Sequence, residues 1–193
     1  MEQFAKALAA LRLLGEHVLT NQIYCFDGID EPRQARALCR RLGIPESDDE
    51  YVTYPAKATF TPVPRSHLRS LEVALSAALP ADYKLLLEKL GAFHLPGEPR
   101  CSLLGPASIC AYGASIFNFQ ENPPWTWPAI PIGSLGTHGD NIGFLRTAQG
   151  FSPNVHLLDH EHLWLADRVE WHQELSPSLS QFVLERANQV AMR

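Results

Sequence analysis

Apolar residues recur with a helical period through the first half of the chain. Phe4, Ala7, Leu8, Leu11, Leu14 and Val18 form a stripe over residues 2 to 20, about four turns long, that closes before Thr20-Asn21. A second helix is predicted from Glu31-Pro32 to Leu42. It carries Ala35, Leu38, Cys39 and Leu42 on one side and Arg33, Arg36, Arg40 and Arg41 on the others, and Gly43 stops it. A third places Leu68, Leu71, Leu75 and Ala78 on one face of residues 66 to 78, with Ser66 as N-cap after Pro64. A fourth opens at Pro80, buries Tyr83, Leu86, Leu87 and Leu90 at i, i+3, i+4 and i+7, and ends at Gly91, where a positive φ is expected.

Between these pairs the pattern breaks. Pro45 to Glu50 is polar and acidic, and Tyr54-Pro55 through Pro62-Val63-Pro64 is rich in Pro and Thr, so residues 45 to 64 read as a connector. Beyond Gly91 the period shortens. Strands are expected at Ala129 to Gly133, Asn141 to Thr147 and Asn154 to Asp159, with a further one near Arg168 to His172, separated by Gly, Ser and Pro turns. After Ser176-Pro177 the helical period returns in Leu179, Phe182, Val183, Ala187 and Val190. Helices first, a meander of strands in the middle and a helix last make an α+β protein with an antiparallel sheet. Residues 1–63 are read as a helical N-terminal extension and connector packed on the core, and residues 64–193 as the α+β domain.

Composition narrows the class. The chain has 193 residues, 46% hydrophobic and 19% charged, enough for a well-cored domain. No apolar run reaches the ~20 residues of a membrane span, and Lys6 lies inside an amphipathic pattern instead of ahead of a cleavable apolar stretch, so a cytoplasmic protein without a membrane partner is expected. Cys25, Cys39, Cys101 and Cys110 form no Cys-x-x-Cys pair, which points to reduced, buried thiols. A formal charge of −5 disfavours nucleic acid as a direct partner and suits a basic protein.

Three segments are candidates for chemistry. In His156-Leu157-Leu158-Asp159-His160-Glu161-His162, an extended backbone points His160 and His162 to one face, as two imidazole metal ligands require, with His138 and Asp140 as further candidates. No third ligand is fixed by spacing, so a solvated strand end, or a rim serving a protein partner, is the expected role. Gly133 to Asp140 contains spaced glycines but lacks the Lys-Ser/Thr of a phosphate loop, and no Gly-x-Ser-x-Gly elbow exists, so no catalytic residue, metal or cofactor is expected. Finally, Pro123-Pro124-Trp125-Thr126-Trp127-Pro128 holds two indoles between prolines. The rings either close one side of the core or, if exposed, anchor an interface.

The helix carrying Leu71-Glu72, followed by Leu79-Pro80-x-x-Tyr83-Lys84 at the start of the next helix, resembles the opening of the SUKH superfamily. The resemblance extends over about residues 64 to 190, through Ile130-Pro131-Ile132-Gly133, Gly139-Asp140, the strand from Val155 to His160 and the closing helix. That superfamily includes bacterial toxin-immunity proteins and cell-wall assembly regulators. The resemblance implies an α+β fold and a protein that is not an enzyme: it would occlude a cognate toxin domain, possibly a nuclease, encoded nearby. A regulatory scaffold of the same fold is the alternative, followed by a metal-dependent enzyme using the His156 to His162 segment. Partner-binding candidates are Trp125, Trp127, Asp140, His160, Glu161 and His162.

Overall fold

The computed structural model describes residues 2–24, 40–41, 51–96, 101–116, 123–135, 141–159 and 172–191. Helix α1 (Glu2–Glu16) buries Ala7, Leu11 and Leu14, the expected stripe, but it ends before Val18. Val18 instead opens strand β1 (Val18–Tyr24), which pairs antiparallel with β2 (Tyr51–Lys57), Val18 opposite Lys57 and Tyr24 opposite Tyr51. The helical extension and connector expected over residues 1–63 are thus corrected in part, because the Pro- and Thr-containing stretch is a strand of a two-stranded ribbon and continues into β3 (Thr59–Thr61). Pro55 is tolerated there because each strand of such a ribbon has a side that needs no partner. Of the second predicted helix, Arg40 and Arg41 are helical and exposed, and its remaining positions lie outside the described residues.

The two family-like helices form as expected. Helix α2 (Arg65–Leu75) buries Leu68, Leu71 and Leu75, and α3 (Ala81–Lys89) buries Tyr83, Leu86 and Leu87. The N-cap of α2 is Pro64 without a side-chain hydrogen bond, not Ser66, and Ser76 ends the helix in the left-handed region at φ 49°. Gly91 has φ 98°, and a side chain there would collide with the Thr61 carbonyl, so the turn after α3 requires glycine.

Strands β4 (Ala92–Leu95), β5 (Cys101–Leu103), β6 (Ala129–Leu135), β7 (Asn141–Thr147), β8 (Gly150–Phe151), β9 (Val155–Leu158) and β10 (His172–Ser176) join β3 in an eight-stranded antiparallel sheet. The order is β10-β9-β7-β6-β5-β4-β3, with β8 paired to β7. Of the last predicted strand, Arg168 to His172, only His172 lies among the described residues, and it opens β10. Between β5 and β6 lies a helix that the sequence pattern did not announce, α4 (Pro106–Ile116). Helix α5 (Leu179–Ala191) closes the described chain and packs against α1, α3 and β10.

The core is continuous across these elements. Tyr83 meets Phe144 of β7 edge-on at 5.6 Å between ring centroids and donates its hydroxyl to the Leu104 carbonyl at 3.1 Å. Asp82 Oδ2 accepts from the Ser180 backbone N–H at 3.2 Å and lies 3.4 Å from its hydroxyl, joining the start of α3 to the first turn of α5. No helix among the described residues is long and apolar enough to cross a membrane.

Candidate functional site

Register places four polar side chains in a line. His94 of β4 stands opposite Ser102 of β5, Ser102 opposite Ser134 of β6, and Ser134 opposite Asn141 of β7. Directly paired residues of antiparallel strands share one face, so the row crosses four strands on a single side of the sheet. Its flanking neighbours Phe93, Leu95, Cys101 and Leu103 alternate to the other side and are buried. The Ser102 and Ser134 hydroxyls lie 2.7 Å apart in a mutual hydrogen bond, and the Ser134 N–H donates to Ser102 Oγ at 3.3 Å.

Over the Asn141 end of this row lies a cleft of about 530 Å³, within the range of small-molecule sites. Leu104 and the α4 residues Ser108, Ala111 and Tyr112 form one wall, and Gly133, Ser134 and Asn141 form the other. Asn141 is only 1% exposed, and its Oδ1 has no hydrogen-bond partner among the described residues. An unpaired buried amide oxygen costs about 1 to 3 kcal/mol, so the position is kept at the expense of stability. Among the described residues no carboxylate, ammonium, guanidinium or imidazole lines the cleft.

On the other side of α4 the chain is fully tied. Pro124–Thr126 is a single 3-10 turn in which the Thr126 hydroxyl donates to the Pro123 carbonyl at 2.7 Å. Arg146 of β7 reaches over it. Its Nε donates to the Trp127 carbonyl at 2.6 Å, while Nη2 donates to the Pro124 and Leu75 carbonyls at 3.0 and 3.2 Å. The guanidinium also stacks 4.8 Å from the centroid of Phe151. One cation therefore binds the end of α2, the Trp turn and β8 together. The two indoles part company here: Trp125 is 57% exposed, whereas Trp127 is 0% exposed, so the expectation that Trp127 contacts a partner is corrected. Its six-membered ring lies against α4 at Gly113, where any side chain would overlap it.

Asp140, His160, Glu161 and His162, with His138, lie outside the described residues. Among the described residues no group of three or more His, Cys, Asp or Glu is placed to hold a metal ion. His156 is buried on β9 directly opposite Glu174, and its ring meets that of His172 edge-on at 5.1 Å. Its Nδ1 has no hydrogen-bond partner among the described residues. Burial and the neighbouring His172 hold its pKa below the usual value, against the pull of Glu174. Glu174 also accepts from Asn154 Nδ2 at 2.9 Å. Cys101 and Cys110 are free, and burial pushes the Cys101 thiol up to about 12, so it carries no nucleophilic thiolate at neutral pH.

Sequence reasoning missed the His94-Ser102-Ser134-Asn141 row, the cleft and the Arg146 tie. The only local signal was that each of these polar residues interrupts an apolar strand. Compared with known proteins, the chain matches no family model and no curated relative.

Proposed function

We propose that this chain is a SUKH-like binding protein that neutralises a cognate toxin by occluding it, acting in the cytoplasm and without chemistry of its own. The observation that carries the reading is Trp125, an indole held 57% exposed on a turn that Pro123, Pro124 and Arg146 immobilise. An exposed aromatic ring on a rigid support loses little entropy on binding, which is what an interface anchor needs.

The residues behind the family resemblance support it physically. Glu72 Oε1 accepts from the Leu79 N–H at 2.9 Å and from Lys84 Nζ at 2.8 Å, so Leu71-Glu72 and Pro80-x-x-Tyr83-Lys84 form one joint between α2 and α3. Burial raises the Glu72 carboxyl, but Lys84 and the Leu79 N–H outweigh it and hold the group below its ordinary value. The formal charge of −5 favours rapid encounter with a basic partner.

The test is co-expression with the toxin domain encoded beside the gene, together with binding kinetics for the purified pair. Restored growth and a one-to-one complex are expected, with an association rate that falls as salt rises from ~50 to ~500 mM. Trp125→Ala should raise the dissociation rate by at least about tenfold. Absence of both protection and micromolar binding would reject immunity in favour of a regulatory scaffold of the same fold.

A further inference from the structure

We infer that the outer edge of β1 is the surface on which a second copy of this chain docks, the two β1 strands pairing antiparallel about a two-fold axis at Asn21 so that two ribbons become one four-stranded sheet. The ribbon of β1 and β2 is a sheet of two strands, and two strands alone hold together poorly until others join them. Its two outer edges are unlike. Strand β2 carries Pro55 and Lys57, the residue types with which natural edge strands discourage further pairing. Strand β1, Val-Leu-Thr-Asn-Gln-Ile-Tyr, contains neither a proline nor a charge.

Register decides which backbone groups that edge offers. Proline has no N–H, and in a ladder it sits with its nitrogen on the outer side. Pro55 stands opposite Thr20, so this pair turns its backbone groups away from the ribbon's own ladder. By alternation Val18, Thr20, Gln22 and Tyr24 direct their N–H and C=O groups to the outer edge of β1. A two-fold axis at Asn21 sets Val18 opposite Tyr24 of the second copy and Thr20 opposite its Gln22, so the outward groups meet in hydrogen-bonded pairs. Leu19 opposite Ile23, and Asn21 opposite its own copy, fall between them.

The strand has the same pattern in both directions about Asn21: two apolar positions, three polar ones and two apolar ones. Apolar positions therefore meet apolar and polar meet polar, a symmetry that a second copy requires and a foreign strand does not. Val18 opposite Tyr24 is a β-branched residue across from an aromatic one, a favourable cross-strand pair. The formal charge of −5 resists self-association, and an uncharged edge is where that resistance is least. The contact is narrow, so the dimer is expected to be weak, with a Kd on the order of 10 to 100 μM.

The inference stands whether or not the chain neutralises a toxin, and it is tested on the full chain by sedimentation equilibrium from ~1 to ~500 μM. A monomer–dimer equilibrium is expected. Gln22→Pro does to β1 what Pro55 does to β2: the lost N–H faces outward, so the ladder within the ribbon is kept while the dimer should weaken at least about tenfold. Asn21→Lys and Asn21→Asp each set like charges opposite one another at the axis and should each weaken the dimer, whereas an equimolar mixture of the two should dimerise more tightly than either alone. That mixture serves if Gln22→Pro disturbs the ribbon. A chain monomeric throughout, a dimer indifferent to both Gln22→Pro and Asn21→Lys, or a mixture no tighter than its components would overturn the inference. So would a monomeric chain whose binding to the toxin domain is lost in Gln22→Pro, which would give the edge to a strand of that partner.

Discussion

Arg146 and Asn141 lie on the same strand, five positions apart, and both carry polar groups into the protein, yet their surroundings treat them oppositely. The guanidinium of Arg146 donates to carbonyls from the end of α2 and from both sides of the Trp turn, and its flat face covers Phe151. The amide of Asn141 is more deeply buried, and among the described residues its oxygen has no donor to accept from. Satisfied polarity fixes one arrangement of the chain, whereas unsatisfied polarity is a cost that folding alone does not explain. The contrast separates a satisfied tie from an unsatisfied position on one strand.

The largest effect should come from the tie. Arg146→Leu is expected to cost about 2 to 4 kcal/mol in urea denaturation, since three carbonyls lose a charged donor at once. Trp125 fluorescence should also show greater mobility of its turn. A loss below about 1 kcal/mol would mean that water replaces the guanidinium and would erase the contrast.

Asn141→Leu should move stability the other way, by about 1 kcal/mol, because it removes an unpaired buried acceptor and fills its place with carbon. Measured destabilisation would show that the amide has a structural partner, and the contrast would fail from its other end.

His156 sharpens the comparison through pH, since it too is buried with an unpaired nitrogen. Its folded state favours the neutral ring, so the unfolded chain takes up a proton at higher pH than the folded one does. The stability it contributes is intact above the ordinary histidine value of 6.5 and is lost as pH falls through that value toward the lowered one. His156→Gln should flatten the fall in denaturation midpoint between about pH 7.5 and 5.5. An unchanged slope would place the pH dependence elsewhere.

The smallest effect is expected at Trp125. Trp125→Ala should change stability by no more than about 0.5 kcal/mol, because the turn is held by its backbone and by Arg146 and not by the exposed ring. A larger loss would make the indole a structural element and weaken its role as an anchor.

How much of this was legible in the sequence depended on whether the signal was local. The stripes of α2, α3 and α5, the positive φ of Gly91 and the strands at Ala129, Asn141 and Val155 all rest on residues within one or two turns of each other. The ribbon was not legible. Val18 extends the α1 stripe in phase, and Pro55 argues against an interior strand, whereas in a two-stranded ribbon every strand is an edge. Helix α4, Pro-Ala-Ser-Ile-Cys-Ala-Tyr-Gly-Ala-Ser-Ile, is built from small residues with weak periodicity. Its Gly113 serves Trp127 and not the helix.

The candidate site was the least legible part. Ser102 and Ser134 are 32 residues apart and become neighbours only through strand register. The cleft over them depends on a helix that the pattern concealed.

The pairing of α1 with α5 has a consequence for the order in which the protein can be assembled. Gln3 hydrogen-bonds Gln181 at 3.3 Å across 178 positions of sequence, and the buried face of α1 packs on the helix made last among the described elements. During synthesis Ala7, Leu11 and Leu14 emerge early, and the helix that α1 packs against most, residues 179–191, follows much later. Docking them closes a very long loop, which places it among the slow steps of folding. A nascent chain stalled before Leu179 exposes a greasy helix and leaves Asp82 of α3 without its Ser180 partner, a species that chaperones and proteases recognise.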